Sequence, residues 1–258
     1  MFANERYRII MSMLAEKQSV TAAELTEIFG VSMETVRRDL AHLESHGRLL
    51  RVHGGAVALN SDTTQPEPLE RRCEEHVDEK RELARCAMEF IHEHDIIAID
   101  SGSTAAALAH QLCASFRNLT IVTYSRDVLD IVTQHSSFAV RLIGGDYLPE
   151  ERLFYGFLAE ESLRRLHASK CFLCPSGVSL RSGISITVKE YHNLMHGMIE
   201  MSDHTYILAD SSKIEMNAPI RLCDFDAVDA VITDSGVDRQ IRSLYRERGI
   251  ELVCGERD

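Results

Sequence analysis

The sequence predicts an α/β protein in two parts: a small helical head closed by a β-hairpin, then a larger α/β domain with a mainly parallel sheet. Three observations carry that reading. Near the N-terminus two short capped helices are separated by only about three residues. Residues 48–59 alternate around a glycine pair, as a hairpin does. From residue 96 onward, apolar runs of strand length alternate with helical stretches, the pattern of strands buried on both faces.

The head begins with Tyr7, Ile10, Met11 and Leu14, which share one helix face. Thr21 is placed to cap a second helix, and Glu24 three residues on completes a capping box. Leu25, Ile28 and Phe29 supply that helix's apolar side, and Gly30 ends it. Ser32 caps the next helix at once. At 100° per residue Val36, Leu40 and Leu43 form an inward stripe, which leaves Glu34, Thr35, Arg37 and Arg38 outward or on the flanks. After Gly47, "RLLRVHGGAVAL" reads as two short strands around Gly54 and Gly55. The whole is a winged helix-turn-helix, whose third helix enters the major groove of double-stranded DNA by its N-terminal half. Candidate DNA-binding residues are therefore Ser32, Glu34, Thr35, Arg37 and Arg38, with Arg48, Arg51 and His53 on the wing for the backbone or minor groove. An Arg-Arg pair alone equally suits the solvated side of an ordinary helix. The caps, the short turn and the wing together favour the DNA-reading surface.

Charge agrees. The first sixty residues hold seven basic and seven acidic side chains, so the net charge of −12 falls wholly on the remainder. A neutral head permits a nucleic-acid contact that the acidic body disfavours. At 258 residues, 45% hydrophobic and 26% charged, the chain suits a soluble protein of two domains. Its longest apolar runs are strand-length, and "MFANERYRII" lacks a signal core, which predicts a cytoplasmic protein without a membrane partner. Seven cysteines suit reduced thiols. Cys171 and Cys174 form a CxxC inside the apolar "KCFLCPSG", which predicts core thiols rather than metal or redox chemistry.

The stretch "VTAAELTEIFGVSMETVRRDLAHLESHGRLLRVHGGAV" resembles the N-terminal signature of the DeoR family of bacterial transcriptional regulators. That resemblance implies a repressor of carbohydrate uptake and catabolism genes that responds to phosphorylated sugars. The expected layout is a DNA-binding domain at 1–59, a polar linker at 60–70 with two prolines, and a sugar-phosphate-sensing domain at 71–258.

A helical stretch is predicted from Arg71 to His94. Strands follow at 96–100, 119–123 and 138–145, then at "CFLC", "TYILAD" and "DAVITD". Helices are placed at "TAAALAHQL", 126–135, "GFLAEESLRRLH", 189–202 and 237–247. Ligands in such folds lie beyond the carboxyl ends of the strands, where polar residues cluster here. In "DSGST" Gly102 permits close approach, and Ser103 and Thr104 open a helix whose free amides make a phosphate cradle. "IGGDY" offers Gly144 and Gly145, and "ADSSK" offers Asp210 and the mobile cation Lys213.

"IDSGST", "LTIVTYS", "LIGG" and "LADSSK" are similar to successive signatures of the DeoR-type effector domain, itself related to ribose-5-phosphate isomerase. The resemblance implies a pocket lined by Asp100, Ser101, Gly102, Ser103, Thr104, Tyr124, Ser125, Gly144, Gly145, Gly177, Glu190 and Lys213. Three departures stand out: Tyr124 where many members have Asn, "CPSG" at 174–177, and Met195 where many have Lys. They point to a differently shaped or less charged ligand and weaken a catalytic reading. An isomerase-like enzyme would need Asp100, Glu190 and Lys213 around the sugar, yet the same groups serve binding. Twelve histidines show no metal-ligand spacing. The expectation is thus a sensor with no catalytic residue, no metal and no cofactor. Its partners would be operator DNA, a small phosphorylated sugar and further copies of itself in a homo-oligomer.

Overall fold

The computed structural model describes residues 3–17, 19–45, 49–52, 54–58 and 68–254. The chain divides into two compact units, one of residues 1–61 with 238–244, the other of 62–237 with 245–258. Among the described residues no helix is long and apolar enough to cross a membrane.

The first unit runs α1 (Ala3–Lys17), β1 (Ser19–Thr21), α2 (Ala22–Phe29), α3 (Met33–Ser45), β2 (Leu49–Val52) and β3 (Gly55–Ala58). Thr21 caps α2 by accepting from the Glu24 amide at 3.1 Å, and Gly30 closes it in the left-handed region at φ 61°. Ser32 Oγ accepts from the Thr35 amide at 3.2 Å and so starts α3. Three residues separate the two helices, the tight joint of a helix-turn-helix. Ile10, Leu14, Leu25, Val36, Leu40 and Leu43 are buried in one core with Leu49 and Ala56 of the hairpin. Besides the expected hairpin, β1 pairs with β3 to give a three-stranded sheet in the order β1-β3-β2. Three residues are too short a run for periodicity to reveal. Gly47, after which the hairpin was expected to begin, lies outside the described residues, as do residues 60–67 of the expected linker.

The second unit opens with α4 (Leu69–Glu74) and α5 (Val77–Ala87). The single helix expected from Arg71 to His94 is thus two, followed by a 3₁₀ turn at Met88–Phe90. Helix α4 starts within the predicted linker and stops without a glycine or proline. Instead His76 takes a left-handed conformation at φ 53°. The Lys80 ammonium donates to the carbonyls of Arg72 and Glu75 at 2.5 and 2.6 Å, supplying the partners that a helix C-terminus leaves missing.

Next come β4 (Ile96–Ile99), α6 (Ser103–Ser115), β5 (Thr120–Thr123), α7 (Arg126–His135) and β6 (Ala139–Leu142). A hairpin of β7 (Asp146–Leu148) and β8 (Leu153–Tyr155) leads to α8 (Phe157–Leu163) and β9 (Ala168–Leu173). Strands β10 (Gly177–Ser179) and β11 (Gly183–Ile186), α9 (Tyr191–Glu200), β12 (Ser202–Leu208), β13 (Ile220–Cys223) and β14 (Ala230–Thr233) follow. Helix α10 (Arg239–Glu247) and β15 (Leu252–Cys254) end the described chain. The main sheet has seven strands in the order β15-β14-β12-β9-β4-β5-β6, every pair parallel. Ile97, Ile99, Ile121, Phe172, Leu208 and Ile232 are buried in it against Leu83, Leu108, Leu112 and Val128 of the covering helices. The short strands β10, β11 and β13 make a separate antiparallel sheet that the sequence reading did not anticipate.

The strand order places the site. From β4 the chain builds outward to β5 and β6, then returns to lay β9, β12, β14 and β15 on the other side. Such a reversal opens a crevice at the carboxyl ends of the two strands that flank it, here β4 and β9.

Candidate functional site

In the first unit, burial of Val36, Leu40 and Leu43 turns Glu34, Arg37 and Arg38 to solvent on the first half of α3. Arg38 Nε stands 3.3 Å from Glu34 Oε1, but its side chain is 79% exposed. An exposed pair of this kind contributes little and yields readily to a phosphate or a base edge. Ser32 is exposed, and Thr35 is half-buried and tied to the cap, its hydroxyl 2.9 Å from that of Ser32. On the wing, the Arg51 amide donates to Glu44 Oε1 at 3.0 Å, and its Nη1 lies 3.8 Å from Glu44 Oε2. Arg48 and His53 lie outside the described residues. The sequence reading missed the ion pair beneath this face, in which Arg6 of α1 meets the buried Asp39 of α3.

In the second unit a cavity of about 400 Å³ opens at the carboxyl ends of β4, β9 and β12. Of the predicted residues, Ser101, Gly102, Ser103, Thr104, Asp210 and Lys213 line it. Gly102 stands at φ 94° and ψ −179°, a region open essentially to glycine alone, and so turns β4 into α6. The first-turn amides of α6 are the unpaired donors of a helix N-terminus, carrying its positive end. The Ser101 hydroxyl is buried without a hydrogen bond of normal geometry, though it is close enough to the Tyr191 phenol to steady it. Asp210 caps the 3₁₀ turn Ser211–Lys213 by accepting from the Ser212 amide at 3.0 Å. Among the described residues, the Lys213 ammonium has no hydrogen-bond or ion-pair partner.

The other predicted lining residues stand elsewhere. Asp100 is buried beneath the cavity and spends both oxygens inside the protein. Oδ1 accepts from the Ser101 amide at 2.7 Å and from the Tyr124 hydroxyl, and Oδ2 accepts from the Cys174 amide at 2.7 Å. It thereby ties together the ends of β4, β5 and β9. Burial pushes its carboxyl up to about 6, and the Tyr124 hydrogen bond offsets part of that rise. Tyr124 is fully buried, its phenol pushed well above the ordinary value by burial and by the charge of Asp100. Ser125 is buried as the cap of α7, accepting from the Val128 amide at 3.3 Å. Gly144 is exposed and faces open space. Gly145 and Gly177 are packing glycines, since a side chain would meet the carbonyls of Tyr155 at 2.3 Å and Met216 at 2.5 Å. Glu190 is exposed at the start of α9. Of the acid–base trio considered for an isomerase, only Lys213 reaches the cavity wall.

What the sequence reading missed is the wall opposite. Arg71, Arg72, His76 and Lys80 come from α4 and α5, Glu151 from the β7–β8 turn, and Tyr191 from α9. Glu151 is buried and accepts from Arg72 Nη2 and, at 2.5 Å, from the Tyr191 phenol. Burial holds the Lys80 ammonium below its ordinary value. The only signal in the sequence was the charge-rich helical stretch from Arg71 to His94, to which no site role was given. Cys174 lines the cavity with a thiol held well above its ordinary value by burial, and Cys171 is buried. Both are free thiols. Among the described residues, no three His, Cys, Asp or Glu side chains are grouped to hold a metal.

A family model described as the DeoR C-terminal sensor domain matches residues 75–235, and one described as a DeoR-like helix-turn-helix domain matches residues 6–62. The uncharacterized HTH-type transcriptional regulator YulB of Bacillus subtilis (strain 168) is 34% identical over 98% of this chain and 97% of its own. The lactose phosphotransferase system repressor of Staphylococcus epidermidis is 30% identical over 90% of this chain and 92% of its own. Among solved structures, ribose 5-phosphate isomerase A from Methanocaldococcus jannaschii aligns over 54% of each chain at a TM-score of 0.40 and 14% identity. That likeness is too loose to carry a function.

Proposed function

The chain belongs to the DeoR family of transcriptional regulators, and on that premise we propose that it represses an operon of carbohydrate catabolism and leaves its operator when a phosphorylated sugar binds. The observation that carries the DNA half is the outward pair Arg37 and Arg38, on the leading half of a helix whose other face is locked into the core. The effector half rests on the cavity at the sheet reversal. There the α6 amides and Lys213 offer a place for an anion, and Asp210 offers an acceptor for hydroxyl groups. A relative named as a lactose phosphotransferase system repressor supports the sugar class. A homo-oligomer would place paired heads on repeated or palindromic half-sites spaced by helical turns.

Effector and operator are linked: whatever factor the sugar phosphate takes from DNA affinity, DNA takes from sugar phosphate affinity. The deciding experiment is retardation of labelled DNA from upstream of the neighbouring genes, at low salt, with and without a panel of sugar phosphates. Sequence-specific retardation relieved by one sugar phosphate is expected. Its absence under every condition overturns the reading.

A further inference from the structure

Helix α10 lies outside both stretches that the family models match, 6–62 and 75–235. The chain also passes between the two compact units here. Residues 238–244 belong with residues 1–61 in the first unit, while Val237 before them and Tyr245 after them belong to the second.

One short segment of the cavity wall holds the chain at both ends of α10. In front, Asp234 at the end of β14 is buried, and its two oxygens accept from the Ser211 amide at 2.5 Å and the Gly236 amide at 2.8 Å. Behind, Tyr245 is the one buried residue of α10, and its phenol donates to Glu215 Oε1 at 2.7 Å. Ser211 opens the 3₁₀ turn that carries Lys213, and Glu215 stands two residues beyond that lysine. Glu215 takes a left-handed conformation at φ 61°, which a glutamate adopts only where its surroundings impose it. The Glu215 amide donates to the Val178 carbonyl at 2.6 Å, and the Leu180 amide donates to Glu215 Oε1 at 3.1 Å. The opposite wall reaches the same turn. Glu82 of α5, two residues after Lys80, accepts from the Ser235 amide at 2.9 Å.

Resting on the reading of this cavity as the effector site, we infer that α10 carries effector occupancy from the second unit to the first, with Asp234 and Tyr245 as its two couplings. A ligand engaging Asp210 or Lys213 acts directly on the turn Ser211–Lys213. Buried hydrogen bonds to a carboxylate are costly to leave unmade, so a shift of the turn is passed on instead of being absorbed. Asp234 carries it to Gly236 in front of the helix, and Glu215 carries it to Tyr245 behind. Because one segment drives both ends, α10 moves as a body rather than bending. The ligand then biases the first unit by its differential affinity for the two positions of that turn.

The test uses the full chain, with inorganic phosphate, glucose 6-phosphate, fructose 6-phosphate and unphosphorylated glucose as probes. Three quantities are measured for wild type and Tyr245→Phe: probe affinity alone, operator affinity alone, and the factor by which saturating probe weakens operator binding. Phenylalanine keeps the ring beside Phe225 and removes only the hydroxyl. Both affinities are expected to stay within about twofold of wild type while the release factor falls roughly five- to tenfold, the reach of a change along a coupling route. Asp234→Asn sets a donor against one of its two amide donors and is expected to lower the release factor likewise. A Tyr245→Phe chain released as readily as wild type overturns the relay and leaves the effector cavity standing. If that chain instead loses probe or operator affinity measured alone, Tyr245 is only structural and the relay falls. If no phosphate among the probes binds wild type, or none that binds changes its affinity for DNA, both readings fall. Hydrogen exchange on the wild type decides the matter even if neither variant folds. A bound probe must change the protection of residues 236–247, and unchanged exchange there overturns the inference.

Discussion

Arg6 of α1 forks onto Asp39 of α3, Nε to Oδ2 at 2.6 Å and Nη2 to Oδ1 at 3.0 Å, with both residues under a tenth exposed. Asp39 follows Arg38 directly. The pair fixes the rotation of α3 from below while its neighbours face water, and Tyr7 stacks on His42 at 4.9 Å one turn further along.

Removing one partner strands the other charge. Arg6→Ala is expected to cost the first unit about 3–5 kcal/mol, and a double change to Met at Arg6 and Leu at Asp39 to recover most of it. Urea unfolding followed by a probe in the head measures both. A single variant as stable as wild type would show that the fork contributes nothing.

Arg38→Ala is expected to cost roughly 1–3 kcal/mol of specific operator binding if it reads a base, and Arg51→Ala to weaken all DNA alike with a shallower salt dependence. Fluorescence anisotropy on operator and scrambled DNA across a salt series separates the two. Equal binding of operator by Arg38→Ala and wild type removes Arg38 from the interface.

Thr104→Ala alters the cradle without touching the head. DNA affinity should stay within error of wild type while the sugar phosphate concentration for half-release rises about tenfold, the scale of one lost hydrogen bond to a charged group. Unchanged release would move the phosphate away from α6.

Asp100 sets a pH dependence. Its carboxyl lies at about 6 in the fold, above the ordinary 3.8, so the native state binds the proton more tightly than the unfolded chain. The stability it contributes is whole below about pH 4 and is lost as pH rises through 6, roughly 3 kcal/mol in all. Asp100→Asn should flatten that slope. Tyr124→Phe should carry the loss to higher pH, because the phenol favours the ionised form. Unfolding free energies of the three proteins from pH 4 to 8 test this, and parallel curves would refute it.

The head was legible because its signals are local. Thr21, Gly30 and Ser32 announce themselves by type and spacing, and Val36, Leu40 and Leu43 by period. The parallel strands were equally plain as apolar runs. What escaped depends on residues far apart in sequence. Arg72 meets Glu151 across 79 positions, and the end of α4 is set by an ammonium rather than by a glycine or proline. Asp100, Tyr124 and Gly177 belong to the cavity only by the family resemblance, which carries no information on which way each side chain turns. Here those positions face inward, where a carboxylate, a phenol and a close backbone crossing hold the loops in place.

The cavity wall is drawn from separate stretches of chain, among them 101–104, 174–176 and 208–213 at the ends of main-sheet strands, 187–191, the β7–β8 turn and the helices α4 and α5. Each can therefore diverge by itself after gene duplication without disturbing its neighbours. On the proposed function, a descendant could take up a new inducer through one altered loop and keep its operator, since the residues proposed to meet DNA belong to another compact unit.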